Sequence, residues 1–312
     1  MRDGTLALEP RRQLIRATGP VRSDIGWGNR LTWPAQLLLL VFVLVPTIVV
    51  VWLSFTDWQP TDRTPWYQAG WNGWDNFVEL AGDQRFLGAV LRTLAIVVVS
   101  TAVELGLAVL LALLFLEEWA WKKFAVTVLL LPMMIVPVDA ANAFFMLFNE
   151  HGPVNQIIGW IMQRPFQFAW LANPQWALTP ILLVEIWQWT PLMFLLVLTA
   201  FLGVSRTQWR AALALGASPF YAFRRIILPL SLPLLTVAVL IRSIETFKIF
   251  DAIYILTRGG PGAATESVSM FMYNGGFVYF RMAYIAAAAL LVLLLVISLC
   301  LAVQKPLLER HG

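Results

Sequence analysis

Eight ionisable residues fall inside or beside long apolar stretches of this chain: Arg92, Glu104, Asp139, Glu185, Arg242, Glu245, Lys248 and Asp251. A charge at membrane depth costs a few kcal/mol or more unless it is paired or wet, so each of these needs a reason. The stretch from Arg242 to Asp251 is the densest. Its signs alternate at a spacing of three, which makes successive pairs helical neighbours able to neutralise one another. Arg242, Thr246 and Ile249 lie within one narrow helical stripe. On an earlier stretch Glu185, Gln188, Trp189 and Leu192 share a face, with Trp187 on another. A carboxylate that accepts paired hydroxyls, beside an indole that stacks on an apolar ring face, can hold a polyhydroxylated ring. The same residues equally suit a structural role, an interhelical Glu185–Arg242 pair among packed tryptophans. Asp139 and Asn142 are weaker candidates for either.

Other chemistries find no support. His151 and His311 lie far apart without a CxxC or HExxH pattern, so no metal site is expected. Cys300 is the single cysteine and sits in an apolar run, which excludes an internal disulfide. No GxxxxGK[ST] phosphate loop occurs and no Ser, His and Asp form a nucleophile constellation, so the chain is not expected to be an enzyme or to hydrolyse ATP alone, and no cofactor is expected. A net charge of +4, dispersed along the chain, does not suggest nucleic acid.

The elements that must position these residues are membrane helices. The composition is 59% hydrophobic and 13% charged, against roughly half and a quarter for soluble domains. Residues 33–53 and 282–303 carry no charge, and about 20 apolar residues suffice to cross a bilayer. Hydropathy places six spans near 33–55, 89–116, 124–148, 176–203, 230–256 and 282–303. With the N-terminus inside, the inner segments hold fourteen Lys and Arg against five outside, so both termini are expected to be cytoplasmic. The organisation expected is a cytoplasmic tail over 1–32, a six-helix domain over 33–303 and a short cytoplasmic tail over 304–312. The first apolar run is too long for the core of a cleaved signal. Tryptophans crowd two outer loops, Trp58, Trp66, Trp71 and Trp74 in one and Trp160, Trp170 and Trp176 in the other. They suit an interfacial aromatic belt, or a platform for a partner or a ring. No internal repeat is visible, which suits one half of an oligomeric pathway.

The inner loop over 204–229 is long and apolar for its place. Residues 206–215 suit a short helix, ended by Gly216. Ser218 then suits an N-cap and Pro219 the first helical position of a second short helix. Phe220, Phe223 and Ile227 fall on one stripe of it. Two short helices at an angle make a peg for a groove in a soluble partner, or a hairpin lying on the membrane surface.

This loop resembles the EAA motif of ABC importer permeases, EAAxxxGAxxxxxFxxIxLP. Ala211, Ala212, Gly216, Ala217, Phe223, Ile226, Leu228 and Pro229 match at the right spacing, while Arg210 stands where the family usually has Glu. Residues 250–265, FDAIYILTRGGPGAAT, are similar to the FDxIYxLTxGGPxxAT segment of carbohydrate-uptake permeases, in particular the larger subunit of the maltose type. The likeness covers roughly 85–303. It implies an all-α, type I ABC importer transmembrane subunit in a prokaryotic cytoplasmic membrane. Its implied partners are a second homologous permease, two ATP-binding subunits and an extracytoplasmic substrate-binding protein. Its implied cargo is a sugar, oligosaccharide or polyol. The nucleotide-subunit coupling set it implies is Arg210, Ala211, Ala212, Gly216, Ala217, Phe220 and Phe223. The implied cargo site draws on Glu185, Trp187, Gln188, Trp189, Arg242, Glu245, Thr246 and Ile249. The competing readings are an ion- or proton-coupled secondary transporter, and an ABC permease for another solute such as glycerol phosphate.

Overall fold

The computed structural model describes residues 25–308. Of the expected tail over 1–32, residues 1–24 lie outside the described residues, as do residues 309–312. Among the described residues the chain is helical, with a single isolated bridge between Thr56 and Trp71. It divides into two compact units. Met1–Val49 contributes, as described structure, the first part of helix α1 (Ile25–Ser54). Val50–Gly312 holds the remainder.

In that larger unit α2 (Asp75–Gly82) leads into α3 (Gln84–Leu114). Asp83 caps α3, its carboxylate accepting from the amides of Arg85 at 2.8 Å and Phe86 at 3.2 Å. Burial pulls the Asp83 pKa up, but hydrogen bonds from the Tyr284 hydroxyl and those two amides, with the nearby Arg85 charge, outweigh it and hold the carboxyl below its ordinary value. Next come α4 (Lys122–Met134), α5 (Pro137–Leu147), α6 (Pro153–Met162) and α7 (Leu178–Leu202). Two short helices follow, α8 (Arg206–Ala214) and α9 (Pro219–Ala222), then α10 (Leu228–Phe247) and α11 (Asp251–Leu256). The last are α12 (Val268–Tyr273) and α13 (Met282–Leu308).

Helices α3, α7 and α10 pack against one another and form the centre. Ala108, Ala112, Ala200 and Ala238 are all buried at these contacts, beside Phe194 and Phe201. In lipid no hydrophobic force drives helices together, so small residues that allow close backbone approach and dispersion matter most. Five helical stretches are long and apolar enough to cross a bilayer, and the bent pair α4–α5 is the sixth candidate.

That pair corrects the expected single span over 124–148. Its two halves meet at 91°. Ile135 and Val136 are both extended at the junction. Val136 precedes Pro137, and a residue before proline is pushed out of the α region. The fifth span is also interrupted: α10 ends at Phe247, and α11 starts at Asp251. The helix at the C-terminus runs on to Leu308, into the stretch expected to be tail.

The expected stripe of Phe220, Phe223 and Ile227 is broken too. Phe223–Ile227 is a π-turn in which the Leu228 amide bonds the Phe223 carbonyl, five residues back. The widened turn shifts the register, leaving Phe220 72% exposed while Ile227 is buried.

Candidate functional site

Three helices deliver one buried ion cluster. Arg242 of α10 donates from Nε and Nη2 to both oxygens of Glu104 on α3, at 2.6 and 3.0 Å. Its Nη2 also donates to Glu185 of α7 at 2.6 Å. Arg242 is 1% exposed and Glu104 is sealed completely. The guanidinium lies 5.1 Å from the Trp189 ring centroid, in cation–π geometry. A planar fork with several fixed donors suits two carboxylates as no lysine would. The cluster ties the three central helices together at membrane depth.

This arrangement corrects the first rung of the self-paired ladder expected along α10. Arg242 turns away from Glu245 to the neighbouring helices, while the Glu245–Lys248 rung is present at 3.0 Å on the exposed side. Asp251 is out of helical register with Lys248 because the helix has ended between them. The interhelical Glu185–Arg242 pair is present. Glu104 had been recognised only as a charge at membrane depth. Its one sequence signal was its isolation, as the sole carboxylate within the second apolar run.

The other expected cargo residues divide by environment. Gln188 is buried and donates to the Ile135 carbonyl at 2.8 Å. It therefore satisfies a backbone acceptor freed by the α4–α5 bend. Trp187 is exposed and packs against Phe144, with ring centroids 5.6 Å apart. Ile249 is buried in the break between α10 and α11, and its carbonyl accepts from the Ser267 hydroxyl at 3.0 Å. Thr246, one turn beyond Arg242, is sealed from solvent, and its hydroxyl has no hydrogen-bond partner. Thr101, one turn before Glu104, likewise has an unpartnered buried hydroxyl. The ion cluster is thus flanked on two helices by unsatisfied donors.

A second ion cluster, for which the sequence carries no local signal, adjoins the GGP segment. Gly259, at φ +85°, begins a tight turn that a side chain would strain. Thr265 closes the turn, its hydroxyl donating to the Gly260 carbonyl at 2.8 Å and lying 2.7 Å from the Thr257 hydroxyl, from which it then accepts. The next residue, Glu266, is buried and receives a bidentate pair from Arg85 at 2.7 and 2.6 Å and a bond from Asn274 at 3.0 Å. Arg92 donates to the Glu266 carbonyl at 3.0 Å. The GGP segment is thereby pinned to α3.

In the loop over 204–229 the expected caps and turn are present, although the stripe on the second helix is broken. Ser205 caps α8, and Ser218 caps α9 by accepting from the Tyr221 amide at 3.2 Å. Between them Gly216 has φ +88° with open space around its Cα. Leu215 is 89% exposed, and Phe220 and Tyr221 also project outward. Ala212 and Ala217 are half-buried, and Ala211 is exposed. Phe223 turns inward onto Phe201, with centroids 5.6 Å apart. Arg210, Trp209, Phe220 and Phe223 line a cleft of about 770 Å³ together with Leu113, Glu117 and Glu118.

A chain of membrane helices with a two-helix peg at one end and no nucleotide loop has the fold of a type I ABC importer transmembrane subunit. The permease of a bacterial ABC transporter involved in import of the acidic polysaccharide alginate superposes with a TM-score of 0.79 at 21% identity, covering 93% of this chain and 98% of that one. Residues 80–310 match the family of binding-protein-dependent transport system inner membrane components, and the chain belongs to that family. The trehalose/maltose transport system permease protein MalF of Thermococcus litoralis is 30% identical over 79% of this chain and 82% of its own length. The trehalose transport system permease protein SugA of Mycobacterium tuberculosis is 30% identical over 88% of this chain and 86% of its own. The sulfoquinovosyl glycerol transport system permease protein SmoG of Agrobacterium fabrum is 29% identical over 86% of this chain and 85% of its own. The chain is thus a membrane-embedded transport permease, and this membership weighs against an ion-coupled secondary transporter.

Proposed function

We propose that this chain is one permease subunit of an importer that moves a sugar, oligosaccharide or polyol across a prokaryotic cytoplasmic membrane, with both termini cytoplasmic. It works with a second homologous permease, two ATP-binding subunits and an extracytoplasmic binding protein. The observation that carries the reading is the loop over 204–229, where Leu215, Phe220 and Tyr221 project large apolar surface from two capped short helices. Such a patch marks a protein contact site. ATP hydrolysis belongs to the partners, since this chain has no phosphate loop. The coupling set is Arg210, Ala211, Ala212, Gly216, Ala217, Phe220 and Phe223, with Phe223 as the inward anchor and Phe220 as the outward knob.

For the cargo, the relatives named for trehalose, maltose and sulfoquinovosyl glycerol support a hydroxyl-rich solute. The cargo set remains Glu185, Trp187, Gln188 and Trp189 on α7, Arg242, Glu245 and Thr246 on the contacting α10, and Ile249 just beyond the end of α10. A sealed hydroxyl without a partner is unfavourable by about 1–3 kcal/mol. The Thr246 hydroxyl therefore gains most when a rearrangement brings it a cargo hydroxyl. Trp187 is the exposed stacking surface.

The test is reconstitution of the whole importer in lipid, with a panel of disaccharides, polyols and glycerol phosphate screened for binding-protein-dependent stimulation of ATP hydrolysis. Stimulation by a neutral glycoside or polyol is expected. Stimulation by glycerol phosphate alone would replace the cargo assignment, and proton-driven uptake without ATP would overturn the whole reading.

A further inference from the structure

The docking peg of this permease carries charge of one sign only. Residues 204–229 contain Arg206, Arg210, Arg224 and Arg225 and no Asp or Glu. Arg210, Arg224 and Arg225 are exposed. Among the described residues, no carboxylate lies within ion-pair distance of Arg210. Glu118, which lines the same cleft, pairs with Lys122 at 3.0 Å. The connection that bears Glu117 and Glu118 also bears Lys122 and Lys123, so its own formal charge sums to zero.

Arg210 shares the cleft with Phe220, the most exposed ring of the peg. Any partner groove deep enough to cover Phe220 takes water away from Arg210 as well. A charge desolvated at an interface without a counter-charge weakens binding, and a facing like charge weakens it further. A groove lined with basic groups would therefore reject this loop.

We propose that the groove on the ATP-binding subunit that receives this loop is acidic and presents a carboxylate to Arg210, so that charge selects the partner as well as holding it. This rests on the docking reading above and adds the chemistry of the partner surface. Arg210 stands where the resembled motif carries Glu, so the sign of this contact is reversed relative to that pattern. The long-range component comes from Arg224 and Arg225. It speeds encounter and is screened within about 8–10 Å at ordinary salt. The short-range component comes from Arg210, whose guanidinium can bind a carboxylate through two parallel hydrogen bonds.

The experiment uses the complete complex in lipid nanodiscs and compares wild type with Arg210→Glu, Arg210→Ala and Phe220→Asp. Retention of the ATP-binding subunit is measured against NaCl, together with cargo-stimulated ATP hydrolysis. R210E is expected to weaken retention at least tenfold at low salt, R210A less. Wild-type retention should fall with salt more steeply than that of R210A. Replacing the facing groove carboxylate by Arg should restore retention to R210E. Retention by R210E equal to or above wild type overturns the acidic groove. If F220D loses the subunit in that case, the docking reading survives without the charge. If F220D also retains it fully, docking itself fails. A loss of binding to anionic phospholipid in R210E, with subunit retention unchanged, would assign the cation to the membrane surface and likewise overturn the proposal. All three variants lie on exposed positions, so an unchanged unfolding midpoint of the permease serves as the folding control.

Discussion

Replacing Arg242 by Met while leaving Glu104 and Glu185 in place tests the central ion cluster most directly. The guanidinium makes three charge-assisted hydrogen bonds of 2.6, 3.0 and 2.6 Å, and none of the three side chains has more than marginal solvent access. Methionine fills similar volume but supplies no donor. Two carboxylates would then face each other in a medium that solvates neither. Removing one partner of a buried ion pair costs about 3–5 kcal/mol, and protonation of one carboxylate limits the loss to that range. Glu104→Gln is a different perturbation. It keeps an acceptor oxygen for Arg242, leaves the Glu185 bond in place and turns a net negative cluster neutral. It should lose no more than one charge-assisted bond, about 1.5–3 kcal/mol. The expected ranking is therefore R242M well below E104Q, with the double variant R242M/E104Q less impaired than the sum of the two. Denaturant or thermal unfolding of the purified permease in nanodiscs reads all three. A stable R242M, or an E104Q loss as large as that of R242M, would show that the arginine is not the linchpin of α3, α7 and α10.

Three further outcomes are expected. Gln188→Leu removes the donor from the Ile135 carbonyl; leaving that acceptor unmatched should cost about 1–3 kcal/mol, and an unchanged unfolding midpoint would show that the α4–α5 bend does not need it. Gly216→Pro cannot adopt φ +88°, since proline holds φ near −65°. It should uncouple ATP hydrolysis from uptake with assembly of the transmembrane part intact, and normal uptake would count against a rigid turn there. Asp83 has a depressed folded-state pKa, so its contribution to stability is fully present above the unfolded value of about 3.9 and is lost as pH falls through the folded value. The stability advantage of wild type over Asp83→Asn should accordingly be constant near neutrality and shrink below about pH 4, as read by thermal midpoints across pH; an advantage independent of pH would assign Asp83 a role other than its charge.

Class and topology were open to sequence reading because they depend on local properties. A run of about 20 apolar residues crosses a bilayer whatever its neighbours do, and the Gly216, Ser218 and Pro219 turn follows from the backbone preferences of three adjacent residues. The two short helices over 204–229 and the GGP turn were therefore legible in the sequence. The 91° bend was not, since 124–148 reads as one apolar run: Pro137 pushes Val136 out of the α region, but nothing local shows that Gln188, from a distant helix, would satisfy the Ile135 carbonyl there. The ion cluster was half accessible: the Glu185–Arg242 pair is one of the two roles the sequence offers, whereas the Glu104 partner is not. Spacing along α10 offered Arg242 a partner three residues away at Glu245, and nothing local ranked that neighbour below Glu104, 138 residues distant. Tertiary packing decided it, because α3 and α7 bring Glu104 and Glu185 to the buried side of α10, where a guanidinium cannot remain unpaired. Local sequence determined which segments cross the membrane and where the peg turns; the choice of partner for each buried charge was a property of three helices meeting, since Coulomb energy in a low-dielectric interior depends on distance in space and not along the chain.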